Sequence, residues 1–286
     1  MEFRTPVEIE PSSRKLTHSG PSPLFLGSCF SDNIASRLRR DGFSVVSNPG
    51  GALYNPASIS AIVLRALSGE DFKESELVPG PRGSHLLALA TPFSGENPGK
   101  IIADANSVLD SVRTCLQPGA LCFLTLGTAF VFEWKATGTV VGNCHKLPAP
   151  LFSRRRLGVD ECVELLSPVI DALENLGVST VLTVSPVRHT ADTLHGNSLS
   201  KATLHLAVDA LCQRFPASVT YFPAYEAIID DLRDYRFTAP DMKHPTDQAA
   251  DYVYELFSKS FFSHETLLKA AECRRESARL AHRQIL

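Results

Sequence analysis

Two short motifs more than two hundred residues apart hold the residue types of covalent acyl-transfer chemistry. Leu24-Phe25-Leu26-Gly27-Ser28-Cys29-Phe30 ends an apolar run in a turn that carries two small nucleophile-type side chains. Asp241-Met242-Lys243-His244-Pro245 supplies a carboxylate and an imidazole at close spacing. A nucleophile, a base and a group to orient the base are the parts that such chemistry needs. Cys29 falls between a predicted strand and a predicted helix N-terminus, where the dipole and free N–H groups favour thiolate. Ser28 is the rival nucleophile, and a buried structural cysteine is the bland alternative. The Asp241–His244 spacing lets the carboxylate hold one ring nitrogen while the other faces the nucleophile. A capping Asp beside a surface His would leave the same trace.

Further polar groups cluster after predicted strands. In the turn Asn48-Pro49-Gly50-Gly51, the N–H of Gly51 (or Gly50) could join that of Cys29 in binding a developing oxyanion, although a turn alone explains the glycines. Asn143 and His145 flank Cys144 in a polar segment that either lines a pocket or anchors the chain. Arg188 and His189, with Ser198 and Lys201 close behind, could hold a carboxylate or phosphate of a substrate, or form salt bridges within their loop. Arg154-Arg155-Arg156, the only dense basic run, reads as a solvated face or an anion contact. Cys29, Cys144, His145, His189 and His244 are metal-ligand types, but no HExxH-like spacing joins them and no metal site is expected. GxGxxG and GxxxxGKS are absent, so no nucleotide cofactor is expected.

The elements that must position these residues alternate between strand and helix. Apolar runs predict strands over residues 23–26, 43–46, 121–126, 180–184 and 219–222, with a short strand over 85–89 in an otherwise loop-like segment 69–100. Helices are predicted over 31–40, 56–67, 104–116, 160–176, 198–215, 246–262 and 265–284, the second opened by the cap pair Asn55-Pro56. Residues 130–141 read as a β-hairpin turning at Thr137-Gly138. Strands separated by helices favour a parallel sheet covered on both faces, with active residues beyond the carboxyl ends of the strands. The Cys29 motif, the Asn48 turn, Gly127-Thr128 and the segment Ser185 to His189 each follow such an end.

The chain has 286 residues, an apolar fraction of 44% and a charged fraction of 21%, the composition of an ordinary globular domain. Net charge is −3, from 28 basic and 31 acidic residues, which offers nucleic acid no strong field. No apolar run reaches the ~18 residues of a membrane span or a signal-peptide pattern, so a cytoplasmic protein is expected. Seven cysteines without a CxxC pair argue against a disulfide framework. Oligomeric state is not legible.

At these residues the chain resembles the GSCFA family, named for its N-terminal motif, which reads Gly27-Ser28-Cys29-Phe30-Ser31 here. The likeness spans nearly the whole chain. It includes Asn48-Pro49-Gly50, Tyr54-Asn55-Pro56, Leu124-Thr125-Leu126-Gly127-Thr128-Ala129 and Asn143-Cys144-His145-Lys146-Leu147-Pro148. It continues through Thr183-Val184-Ser185-Pro186-Val187-Arg188-His189, Ser200-Lys201-Ala202-Thr203, Leu232-Arg233-Asp234-Tyr235-Arg236-Phe237 and Asp241-Met242-Lys243-His244-Pro245. That family is in turn similar to the SGNH (GDSL-type) hydrolases. The resemblance implies an α/β, three-layer flavodoxin-like fold with a parallel sheet, here with an inserted β-hairpin. One such domain is expected over residues 1–263, with a C-terminal helical extension over 264–286.

The same resemblance implies a hydrolase or acyltransferase acting on acyl esters or thioesters, with Cys29 as nucleophile and Asp241 and His244 as the final Asp-x-x-His block. Donor and acceptor would be small molecules or carbohydrates. Two departures stand out. Gly27-Ser28-Cys29 replaces Gly-Asp-Ser, and Gly127-Thr128-Ala129 replaces Gly-x-Asn-Asp, so the oxyanion-binding Asn is missing. Asn143 could substitute for it. The alternative reading is an SGNH-like binding or scaffolding protein without turnover.

Overall fold

The computed structural model describes residues 4–81 and 83–283. In chain order the first half holds β1 (Leu24–Gly27), α1 (Phe30–Arg40), β2 (Val46–Ser47), α2 (Pro56–Ser68), β3 (Val78–Gly80), β4 (Gly83–His85), β5 (Ser94–Gly95) and α3 (Pro98–Cys115). Next come β6 (Leu121–Leu126), β7 (Phe130–Trp134), β8 (Thr139–Val141), β9 (Phe152–Arg156) and α4 (Val159–Asn175). The remainder is β10 (Ser179–Val184), α5 (Thr193–Arg214), β11 (Val219–Tyr221), α6 (Ala224–Glu226), α7 (Asp247–Phe261) and α8 (His264–Arg283).

Five strands form a central parallel sheet in the order β11-β10-β6-β1-β2. Leu24 pairs with Val46 on one side and Cys122 on the other, and Cys122 pairs with Thr180 beyond. Successive side chains of a strand point to opposite faces, which explains why these strands are apolar throughout. Leu24, Leu26, Cys122, Leu124, Leu126, Leu182 and Val184 join α2, α3, α4 and α5 in one core. Phe25, Phe123 and Val181 face the other core, with Ile34 and Leu38 of α1 and Val253, Phe257 and Phe261 of α7. Phe25 stacks on Phe123 at 4.3 Å, and Phe257 tilts against both. The molecule is thus a mixed α/β protein with helices on both faces of the sheet.

The order places a topological switch between β1 and β6, whose connections leave toward opposite flanks of the sheet. Such a switch opens a crevice at the carboxyl ends of the strands. Cap chemistry fixes the helix beside it: Asn55 Oδ1 accepts the Ser58 N–H at 2.8 Å, with Pro56 in the first turn of α2.

Three features differ from the sequence reading. The hairpin is a three-stranded sheet, β8-β7-β9, in which Arg154 pairs with Phe132. The basic run is therefore an edge strand, tied down by Arg155, which bonds Glu133 and Glu161. Between residues 78 and 95 a small antiparallel sheet, β3-β4-β5, replaces the strand expected over 85–89. Third, α3 and α5 begin several residues earlier than expected, at Pro98 and Thr193. Helix α8 packs back on the domain: Ala270 is buried, and Thr266 Oγ1 donates to Leu16 O at 3.1 Å. Among the described residues no helix is long and apolar enough to cross a membrane.

Candidate active site

Sequence at the end of β1 forces its geometry. Gly27 has φ +127°, and a Cβ there would lie 2.1 Å from Thr125 O on β6, so only glycine fits. Asn48, after β2, locks this turn. Its Oδ1 accepts the Gly27 N–H at 2.9 Å, and its Nδ2 donates to Asp32 Oδ2 at 2.9 Å. The strand end and the first turn of α1 are thereby held together, with Cys29 between them as the residue that opens the helix.

The two candidate nucleophiles part company here. Ser28 is fully buried, its Oγ 2.9 Å from Ser185 Oγ at the end of β10. Cys29 is half-buried and lines a cavity of about 490 Å³. Burial pushes the Cys29 thiol up from its ordinary value. The hydrogen bond from Ser28 and the N–H groups of Cys29 and Phe30 pull it down, but burial wins. The helix N-terminus therefore does not by itself produce a standing thiolate, contrary to expectation.

Across the sheet ends, Asp241 and His244 form a compact turn with Met242 at φ +61°. Asp241 Oδ2 lies 2.5 Å from His244 Nδ1, and Oδ1 accepts the backbone N–H groups of Lys243 and His244. These bonds, the His244 ring first, hold the Asp241 carboxyl well below the usual carboxylate range. With Nδ1 engaged, Nε2 is the ring nitrogen left for chemistry. His244 lines the same cavity as Cys29.

Arg188, His189 and Asn143 also line it. The Arg188 N–H donates to Lys243 O at 3.2 Å, joining the segment after β10 to the His244 turn. His189 packs edge-on against Tyr54, and its Nε2 is buried without a partner. Burial, and secondarily the Lys201 charge, lower its pKa to about 4, so the ring is neutral. Asn143 Oδ1 accepts the His145 N–H and the Thr91 hydroxyl, leaving its Nδ2 as a donor.

Two expected site residues lie elsewhere. The Gly51 N–H donates to Asn48 O at 2.8 Å, and Gly51, at φ +80° against Ala90, is outside the cavity lining. Its role is the turn. The His145 ring is buried, bonded through Nε2 to Leu89 O at 2.9 Å and set edge-on to His85. It anchors the segment after β8 rather than facing the cavity.

Sequence reasoning missed Asn55, Phe130 and Phe132, and gave Arg154 and Lys201 different roles. Asn55 reaches the cavity; because its oxygen caps α2, its Nδ2 is the free end. The signal was there, since an Asn cap uses only the carbonyl half of the amide. Phe130, Phe132 and Arg154 of the inserted sheet build one wall, with Arg154 over both rings and paired to Asp192. Lys201 of α5 is buried beneath the site, donating to Gly127 O and Ser185 O, each at 2.6 Å. It ties the ends of β6 and β10 together. Burial lowers its pKa to about 7, only partly opposed by the electrostatic influence of Cys29.

Among the described residues no group of three or more His, Cys, Asp or Glu side chains is arranged to hold a metal ion. A second cavity, about 440 Å³ beside α3, has neither cysteine nor histidine in its lining.

Fold and site together define an α/β protein whose strand ends open on a cavity bearing a thiol, an Asp-bound imidazole and several cationic side chains. The chain belongs to the GSCFA family, whose model matches residues 23–257. Comparison with curated proteins gives no match.

Proposed function

We propose that the protein is a hydrolase or acyltransferase of esters or thioesters that works through a thioester on Cys29. One observation carries this reading: Cys29 and the Asp241-bound His244 line the same ligand-sized cavity at the switch of the sheet. The strand order is that of flavodoxin-like folds, which is what similarity to SGNH hydrolases leads one to expect.

A thiol kept neutral by burial needs a base at the moment of attack. His244 Nε2 takes the Cys29 proton, and the sulfur electron pair forms a bond to the substrate carbonyl carbon. The carbonyl π electrons move to oxygen. The Cys29 N–H and the side-chain amides of Asn55 and Asn143 are the donors available to that oxyanion. As the tetrahedral centre collapses, the bond to the leaving oxygen or sulfur breaks, and the His244 imidazolium returns the proton to it. Water or an acceptor then attacks the thioester as His244 takes its proton, the acyl–sulfur bond breaks, and the imidazolium returns that proton to the Cys29 sulfur. Asp241 stabilises the imidazolium in both halves. Thioesters exchange readily with oxygen and nitrogen nucleophiles, so transfer and hydrolysis share these steps.

Turnover of p-nitrophenyl acetate by native protein, and its loss in both Cys29→Ala and His244→Ala, is the expected outcome. Full activity in Cys29→Ala would remove the sulfur from the mechanism. A second reading, a binding protein without turnover, draws on Gly127-Thr128-Ala129, which lacks the Asn of the hydrolase pattern. It expects no turnover from any acyl donor.

A further inference from the structure

The cavity's charge differs from that of the molecule around it. The chain carries 31 acidic and 28 basic residues, yet no Asp or Glu appears in the cavity lining, which holds Arg154, Arg188 and Lys243. Arg154 is already neutralised by Asp192, and its guanidinium lies over the Phe130 and Phe132 rings at 5.1 and 4.7 Å. It belongs to the wall. Among the described residues neither Arg188 nor Lys243 has a carboxylate within ion-pairing distance. The bond from the Arg188 N–H to Lys243 O sets the two residues side by side next to His244. Arg188 is braced at 5.2 Å over the ring of Tyr235, which lines a small adjoining cavity of about 110 Å³ that Arg188, Lys243 and His244 also border, so the contact leaves its charge unpaired. The cavity is thus two-sided, with aromatic side chains on the inserted sheet and two unpaired cations beside the base.

We propose that the cavity receives a compound bearing an anionic group, phosphate or carboxylate, held between Arg188 and Lys243, with its acyl portion against Phe130 and Phe132. The acyl assignment rests on the function proposed above; the anion site rests on Arg188 and Lys243 alone. Two unpaired cations at the mouth of a cavity attract such a group, and charge-assisted hydrogen bonds orient it. An anion fixed there presents its acyl carbonyl at a set distance from His244, so the site selects donors or acceptors by charge as well as by acyl length. A neutral activated ester still reaches Cys29 but binds more weakly, because it leaves the cations unpaired.

The experiment is calorimetric titration of the full chain with inorganic pyrophosphate and, separately, with succinate at low ionic strength. Native protein and Cys29→Ala should bind alike, because binding needs no chemistry. Arg188→Gln and Lys243→Gln should each weaken binding ~10-fold. Arg188→Lys should retain most of it, and the remote Lys269→Gln should leave it unchanged. Tighter pyrophosphate binding identifies a phosphate-bearing ligand; tighter succinate binding identifies a carboxylate. If neither anion binds at millimolar concentration, or if Lys269→Gln weakens binding as much as the cavity variants do, the anion site is refuted. Anion binding without any acylation of Cys29 would overturn the catalytic proposal and leave this one standing.

Discussion

Asp241 holds His244 at both its ring and its backbone. Oδ2 lies 2.5 Å from Nδ1, while Oδ1 accepts the His244 N–H at 3.0 Å and the Lys243 N–H at 2.9 Å. The backbone bonds shape the turn, and the ring bond selects the tautomer. Asp241→Asn keeps an acceptor for the backbone but can no longer stabilise an imidazolium. Turnover should fall by roughly 10²- to 10⁴-fold with little change in KM, measured by steady-state kinetics on an activated ester. A loss below twofold would reduce the pair to a turn element.

Ser28 and Cys29 should separate cleanly. Ser28 Oγ is buried against Ser185 Oγ, so Ser28→Ala should keep turnover but cost about 1–2 kcal/mol of stability in a urea titration. Cys29→Ala should fold normally and be inactive. The reverse pattern would make Ser28 the nucleophile.

His189 predicts an acid-sensitive fold. Its folded pKa is lowered to about 4 from the model-compound value of 6.5, chiefly by burial. Between these values the unfolded chain binds the extra proton, so the stabilisation is complete above pH 6.5 and drains away as pH falls toward 4. This group alone accounts for a loss on the order of 3 kcal/mol. In His189→Phe the decline in stability from pH 7 to pH 4.5 should be shallower than in native protein. Identical slopes would mean that the ring is not held neutral.

Lys201 works in the alkaline direction. Its folded pKa, lowered by burial to about 7 against 10.5 for the free side chain, means that the unfolded chain binds more protons across that window. Its contribution to stability therefore improves as pH rises from about 7 to about 10.5. Lys201→Met abolishes that rise and strips the donor from Gly127 O and Ser185 O, at a cost of about 1–3 kcal/mol at pH 8. Chemical denaturation of both proteins from pH 7 to 10 measures the difference. A variant as stable as native protein at pH 8 would contradict the role assigned to this lysine.

Apolar, pattern-rich elements were legible in the sequence. Leu121–Leu126 and Ser179–Val184 read as buried strands because both faces of a covered parallel sheet need apolar side chains. The pair Asn55-Pro56 announced α2. By contrast, β9 carries Arg154-Arg155-Arg156 and owes its existence to pairing with β7, a tertiary cause that no local pattern records. Six of the eight residues in the small β3-β4-β5 sheet are Gly, Ser or Pro, residues that otherwise signal loops. At the site, Cys29, Asp241, His244, Arg188, His189 and Asn143 could be named because each follows a strand end or sits in a polar motif. His145 and Gly51 have the same local look, and only long-range partners, Leu89 O and a turn against Ala90, remove them from the cavity. Lys201 has a different role from the one its position suggests: beside Arg188 and His189 it reads as an anion contact or a loop salt bridge, until two carbonyls from distant strands are found on its ammonium.

The central claim is that Cys29 carries the acyl group, and acid-quenched intact-protein mass spectrometry after brief exposure to p-nitrophenyl acetate tests it most directly. One added acetyl group, mapped to Cys29 and formed far more slowly in His244→Ala, which lacks the base for attack, is the predicted result. A protein of unchanged mass that releases no nitrophenol, or an adduct that survives in Cys29→Ala, would contradict it.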